Sequence, residues 1–334
     1  MAIYSNDNIM KKYISICIGT LITIAAAVQS AELPQAKITV RVLDEQSMPV
    51  QGATVRIGFA NKTYDQELLK TGMTDAAGEY SAEGNSAIRI SADVRKDGFY
   101  LSGTPFIEFT NVEAGHWQPW NPITKVVLRP IGKPVALYAK KVQVTIPVIG
   151  KPCGYDLEAG DWVTPYGKGM KKDFVFTILQ NEVKDAGNFN AQGELTFANP
   201  LDGLREDPKL ENGNNSAFKW ERLAPENGYE PTFHLQNTWW ENLGQKPIRN
   251  FKNIDEEWEG YFFRVRTVEQ AGKIVSAHYG KIRGGIEIEP RESKTCTITF
   301  TYYFNPTPND RNLEWDMKKN LFSNLSFMEI PREP

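Results

Sequence analysis

Polar and apolar positions alternate with a period of two over much of this chain. In KITVRVL (37–43), Ile38, Val40 and Val42 share one face, and in ATVRIGF (53–59) Ala53, Val55, Ile57 and Phe59 do the same. In AIRISADV (87–94), Ile88, Ile90, Ala92 and Val94 alternate with Arg89, Ser91 and Asp93. One apolar and one polar face predict antiparallel strands that pack on a core from one side. Turn residues in DEQSMP, DAAG and KDG punctuate the strands at short intervals. No long helical period intervenes, so the segment reads as a small β-sandwich. MTDAAGEYS (73–81) places Asp75, Gly78 and Glu79 within five residues. A calcium loop needs further oxygen ligands at alternating positions, and Ala76, Ala77 and Gly78 supply none. The stretch predicts a hairpin turn instead, with Asp75 accepting backbone N–H bonds and Gly78 taking a positive φ.

Residues 128–152, LRPIGKPVALYAKKVQVTIPVIGKP, are proline-rich around a central strand pattern and read as a connection that opens a second domain. Beyond it come FVFTI, GELTF, YFFRVRTV, KIVSAHYGKI and CTITFTYYF. In the last, Cys296, Ile298, Phe300, Tyr302 and Phe304 line one face, with Thr297, Thr299, Thr301 and Tyr303 on the other. YFFRVRTV and KIVSAHYGKI, joined by EQAG, predict a hairpin whose turn Gly272 supplies. DPKLENGNNS reads as a surface loop, and LEWDMKKNLFSNL near the C-terminus as a short helix.

The first region carries a more specific pattern. Val40, Val42 and Asp44 are followed by Pro49, Val50, Gly52, Ala53 and Val55; then come Thr74, Asp75, Gly78 and Tyr80, and finally Lys96, Asp97 and Gly98. Residues 37–130 thereby resemble the carboxypeptidase regulatory-like domain. That resemblance implies a seven-stranded, transthyretin-like β-sandwich and a non-catalytic appendage on an exported bacterial protein. It covers under a third of the chain and assigns no site, because fold-level analogy does not carry function. The expected class is all-β: an N-terminal Ig/transthyretin-like β-sandwich (37–130) followed by a larger β-rich, sandwich-like domain (131–330).

The N-terminus adds a compartment. Lys11 and Lys12 precede the apolar run Ile14–Val28, followed by Val28 and Ser30 at the −3 and −1 positions of a cleavage site. This order predicts a signal peptide over residues 1–30. The run is short of the ~20 residues of a spanning helix, so no membrane span is expected after cleavage. Ile16 before Cys17 is too large for a lipid-attachment motif. Export places the protein in the periplasm, at the cell surface or outside the cell. Removal of Cys17 leaves Cys153 and Cys296, an even pair that permits one disulfide or two buried thiols. The formal net charge is −3, with no lysine or arginine block, which disfavours a nucleic-acid partner.

Catalytic patterns are scarce. The three histidines, His116, His234 and His278, have no His or Glu at a metal-binding helical spacing. The H-x-x-E of metallocarboxypeptidases, G-x-S-x-G, the Walker loop and G-x-G-x-x-G are all absent, so no metal or cofactor is implied. DEEWEGY (255–261) sets acids beside Trp258, a pairing that glycosidases use and acidic surface loops also show. NDRNLEWD (309–316) spaces oxygen side chains as a calcium loop would, but has Trp315 where the sharp turn needs glycine.

The densest candidate is GKPCGYDLEAGDWVTPYGKG (150–169), which combines Tyr155, Asp156, Asp161, Trp162 and Tyr166 with five glycines. Its rings suit stacking on a sugar and its acids suit the hydroxyls; the same composition suits an ordered inter-domain linker. Trp239 and Trp240 in NTWWENLG allow the same two readings, since neighbours on a strand face opposite sides. These observations point to an exported, non-catalytic β-protein that binds a glycan or an envelope protein. A carbohydrate-active hydrolase is the second reading, and a purely structural envelope subunit the third.

Overall fold

A computed structural model describes residues 32–63, 67–104, 106–185, 188–208, 216–240, 248–249 and 258–334. The signal-peptide pattern, most of DPKLENGNNS and Asp255, Glu256 and Glu257 of DEEWEGY lie outside the described residues. Those described are all-β: they contain no helix, and hence none long and apolar enough to cross a membrane.

The first sandwich comprises β1 (Gln35–Leu43), β2 (Thr54–Ala60), β3 (Glu67–Met73), β4 (Glu79–Asn85), β5 (Arg89–Arg95), β6 (Ser102–Gly103), β7 (Ile107–Glu108), β8 (Asn111–Glu113), β9 (His116–Gln118) and β10 (Ile123–Val127). One sheet runs β10-β1-β9-β8 with β4 on β1; the other runs β3-β2-β5-β6 with β7 on β5. Between them the expected faces meet: Ile38, Val40 and Val42 from one sheet, Val55, Ile57, Phe59, Ile90, Ala92 and Val94 from the other. Ile88 falls before β5 begins and is exposed.

The turn at DAAG keeps its predicted chemistry but joins different things. Asp75 Oδ1 accepts the N–H groups of Ala77 and Glu79, and Gly78 has φ +74°. β3 pairs with β2 whereas β4 pairs with β1, so the turn is an arch between the two sheets and not a hairpin. A Cβ on Gly78 would lie 2.5 Å from the Val42 carbonyl oxygen, which ties this glycine to the arch.

The second sandwich comprises β11 (Tyr138–Thr145), β12 (Cys153–Asp156), β13 (Asp161–Trp162), β14 (Phe174–Asp185), β15 (Asn188–Thr196), β16 (Gly203–Pro208), β17 (Thr232–Trp240), β18 (Ile248–Arg249), β19 (Trp258–Gln270), β20 (Lys273–Glu292) and β21 (Thr295–Asn305). Its sheets run β11-β21-β20-β19-β16 and β13-β12-β14-β15-β17-β18. Phe263, Val265, Ile282, Ile298, Phe300 and Tyr302 pack against Tyr155, Phe174, Phe176, Ile178 and Leu195. The β19–β20 hairpin forms as expected, closing on Gln270 and Lys273 with Ala271 and Gly272 at φ +50° and +74°.

LEWDMKKNLFSNL is not a helix. Its polar side chains bond backbone instead: Asn320 Oδ1 accepts Ala139 N–H, Asp316 Oδ1 accepts Lys318 N–H, and the Glu314 carbonyl accepts Val135 N–H. Leu313, Glu314 and Trp315 are all buried, Glu314 with its carboxylate accepting the Gly132 and Lys133 N–H groups, so the segment is enclosed on every side as an extended strap and not on one face as a surface helix. The strap follows edge strand β11 onward, where Lys141 N–H donates to the Glu329 carbonyl at 2.7 Å.

Candidate functional site

The segment 150–169 is scaffold. Tyr155 is fully buried, its ring edge-on to Trp162 and Phe300 at 5.4 and 5.6 Å. Trp162 is 6% exposed and its Nε1 donates to the Thr145 carbonyl. Asp156 accepts four backbone N–H bonds, from Glu158, Ala159, Met170 and Lys171. Burial alone would lift its carboxyl, but those donors hold it below the usual range. Asp161 is likewise occupied, by the N–H groups of Trp162 and Lys168. Arg266 clamps the segment from β19, with both its Nε and Nη2 2.7 Å from the Asp173 carboxylate and a further bond to Glu158.

The candidate residues Tyr155, Asp156 and Trp162 are therefore corrected from ligand contacts to core and loop-stapling groups. Cross-strand pairing of β12 with β13 turns both rings inward, leaving neither face for a sugar. Tyr166 alone among the five is well exposed. Trp239 is half-buried opposite Phe189, and Trp240 pairs with Asn188 in register. The disulfide is corrected as well: Cys153 and Cys296 are separate buried thiols in one core, and burial pushes the Cys296 thiol up to about 12. NDRNLEWD folds as successive Asx turns, Asp310 accepting Asn312 N–H and Asn312 accepting Glu314 N–H. His278 is half-buried against Phe304, and its partial burial lowers its pKa.

A groove of about 780 Å³ lies instead on the outer face of the β11–β21–β20 sheet, between that sheet and the strap. Its floor is Thr299, Thr301, Tyr303 and the Gly284–Gly285 stretch of β20. There the ladder is broken: Arg283 pairs with Thr301 and Glu287 with Thr299, so three residues of β20 oppose Phe300. Gly284 takes φ +68°, the conformation that lets the strand bulge. Phe327, Met328 and Ile330 of the strap form an apolar wall, with exposures of 71, 68 and 44%.

Lys141, Lys219, Arg283 and Arg332 line the groove against two carboxylates, Glu287 and Glu333. Glu333 pairs with Arg283, and its backbone carbonyl accepts the Tyr303 hydroxyl at 2.7 Å. Burial holds that hydroxyl protonated and thus a donor. Beside Tyr303, the fully buried Lys281 sets its Nζ 4.8–5.1 Å from the centroids of the Tyr303, Phe218 and Trp220 rings. The strap is pinned by Glu329, which accepts Ser326 N–H and pairs with Lys140 at 3.0 Å; these contacts pull its carboxyl down to about 2.

None of the groove residues belonged to the sequence-based candidates. The signal available was RGGIE, two glycines inside a strand pattern, which marks a bulge.

No family model matches this chain, and no curated protein matches it. Among solved structures it is similar to 3-chlorocatechol 1,2-dioxygenase from Rhodococcus opacus 1CP, at 12% identity and TM-score 0.24, over 30% of this chain and 62% of that one. The chain thus spans less than two thirds of that enzyme's length. It is also similar to BcpA, the major pilin subunit of Bacillus cereus, at 13% identity and TM-score 0.22, over 79% of this chain and 95% of that one. A proposed carbohydrate binding protein from Bacteroides uniformis ATCC 8492 matches at 12% identity and TM-score 0.19, over 80% and 98%. Scores this low carry no inference about kinship or activity.

Proposed function

We propose that this protein is an exported, non-catalytic binding protein of the cell envelope that holds an extended segment of another envelope polypeptide. The observation that carries the reading is the groove of about 780 Å³ between the bulged β20 and the strap, lined by both apolar and charged groups. The signal-peptide pattern at residues 1–30 supports export, and the carboxypeptidase regulatory-like pattern at 37–130 supports an appendage role for the first sandwich. A glycan partner is less well supported, because the groove floor offers no open aromatic face: Phe300 and Tyr303 are at most 2% exposed, and the exposed ring of Phe327, in the strap wall, carries the Arg332 guanidinium over one side.

The test is a binding screen of the mature protein against extended octapeptides of varied charge and, in parallel, a glycan array. Thr299→Trp, which fills the groove from its floor, is expected to abolish peptide binding while the near-UV spectrum shows an intact fold. A protein that binds glycans but no peptide, or binds nothing, overturns the reading.

A further inference from the structure

Resting on that groove-binding reading, we infer that the groove selects an acidic polypeptide segment, and that Glu333 of the chain's own strap is an internal competitor for its central cation. Three observations converge on this class. The walls carry four cationic side chains and two carboxylates, and the Arg283–Glu333 pair neutralises one of each, leaving three cations against Glu287. Net positive potential in a partly enclosed groove favours an anionic ligand.

The second observation is the manner in which Glu333 sits. Its carboxylate engages Arg283 while its backbone carbonyl accepts the Tyr303 hydroxyl, so side chain and main chain are held together. An incoming Asp or Glu on an extended chain presents the same pair of acceptors. The strap therefore displays, within the molecule, the contacts that an acidic peptide would make, and a guanidinium–carboxylate pair is among the stronger polar contacts available.

The third observation is the floor. Where β20 bulges, Gly284, Gly285 and Ile286 have no register partner on β21. Gly284 and Gly285 line the groove itself, with no side chain to keep another backbone away. Close approach of backbone at these two glycines suits an extended polypeptide. Phe327, Met328 and Ile330 stand ready for the apolar side chains that alternate with the acids.

The measurement is fluorescence-polarisation binding of labelled octapeptides with alternating Glu-Thr, Gln-Thr and Lys-Thr sequences, alongside an oligogalacturonate of matched charge. The Glu-Thr peptide is expected to bind at least about tenfold more tightly than the Gln-Thr peptide, as charge-assisted contacts require. Its affinity should fall with added salt. Arg283→Gln is expected to weaken it about tenfold. Glu333→Gln, which releases Arg283, is expected to tighten it several-fold; a variant that merely loosens the fold would weaken binding. Equal affinity for the Glu-Thr, Gln-Thr and Lys-Thr peptides overturns the acidic selection while leaving the groove reading standing. Oligogalacturonate binding in place of the peptide overturns the polypeptide assignment. If Glu333→Gln leaves the affinity unchanged, the competitor role is overturned.

Discussion

Trp162 and Tyr155 are large rings flanked by acids, a composition that suits either a sugar platform or a core. What decides between them is where the acids spend their lone pairs. Asp156 and Asp161 accept six backbone N–H bonds between them, which folds the segment back on itself and drives both rings inward. The aromatic cluster that results is worth its full transfer free energy only while every ring stays packed. Trp162→Ala is thus expected to destabilise the protein by about 3–5 kcal/mol in urea unfolding. At concentrations of denaturant where the variant is still folded, its peptide affinity should match the wild type. A stability change below about 1 kcal/mol, or a selective loss of ligand, would place Trp162 at a surface after all.

At the scale of elements, two sequence patterns kept their local chemistry and changed their partners. DAAG made the Asx turn and the positive-φ glycine that its residues dictate, yet it bridges sheets because β1 takes β4 as its antiparallel neighbour. LEWDMKKNLFSNL has helix formers, but the exposed edge of β11 offers backbone groups that its side chains and carbonyls satisfy. Covering that edge makes the segment a strap. Its anchor is titratable: Glu329 has its folded pKa depressed from 4.5 to about 2, so its contribution is complete above pH 4.5 and is lost as pH falls towards 2. Hydrogen exchange at the Lys141 and Ser326 amides, corrected for intrinsic rates, should show protection that declines across that window. Glu329→Gln should show the low value throughout; pH-independent protection in the wild type would remove Glu329 as the anchor.

At the scale of the molecule, the two sandwiches are joined by more than the chain between them. Tyr100 stacks on Phe218 at 4.9 Å and donates to Glu314, while Arg129 bonds the carbonyls of Phe218 and Trp220 and pairs with Glu45 at 2.8 Å. Arg222 reaches the same Glu45 at 3.1 Å. Burial alone would lift the Glu45 carboxyl, but the two guanidinium groups outweigh it and hold the pKa below its usual value. Residues 216–224 thereby lie as a layer shared by both halves, and the same layer packs against Phe262 and Tyr279 on the outer face of the second sandwich. Removing Arg129 leaves two buried carbonyls without their donor. Arg129→Ala is expected to cost about 3 kcal/mol and to split one calorimetric transition into two. A single transition of unchanged cooperativity would mean that the halves are coupled elsewhere.

The sequence by itself determined the longer strands, most of their buried faces, the β19–β20 turn and the all-β class, because period-two alternation and turn chemistry are local and short in range. Val40, Ile57, Phe300 and Tyr302 all point where their spacing says they should. Only the tertiary structure decided which strands pair across the DAAG arch, that Cys153 and Cys296 stay thiols, and that the rings of 150–169 belong to a core. It also decided that Lys141, Lys219, Arg283 and Arg332 face one groove. Those four residues are separated by up to 191 positions and come from four different segments, so only packing brings them together. Each was an ordinary cation on its own segment; the outer face of one sheet, the 216–224 layer and the strap made them a set.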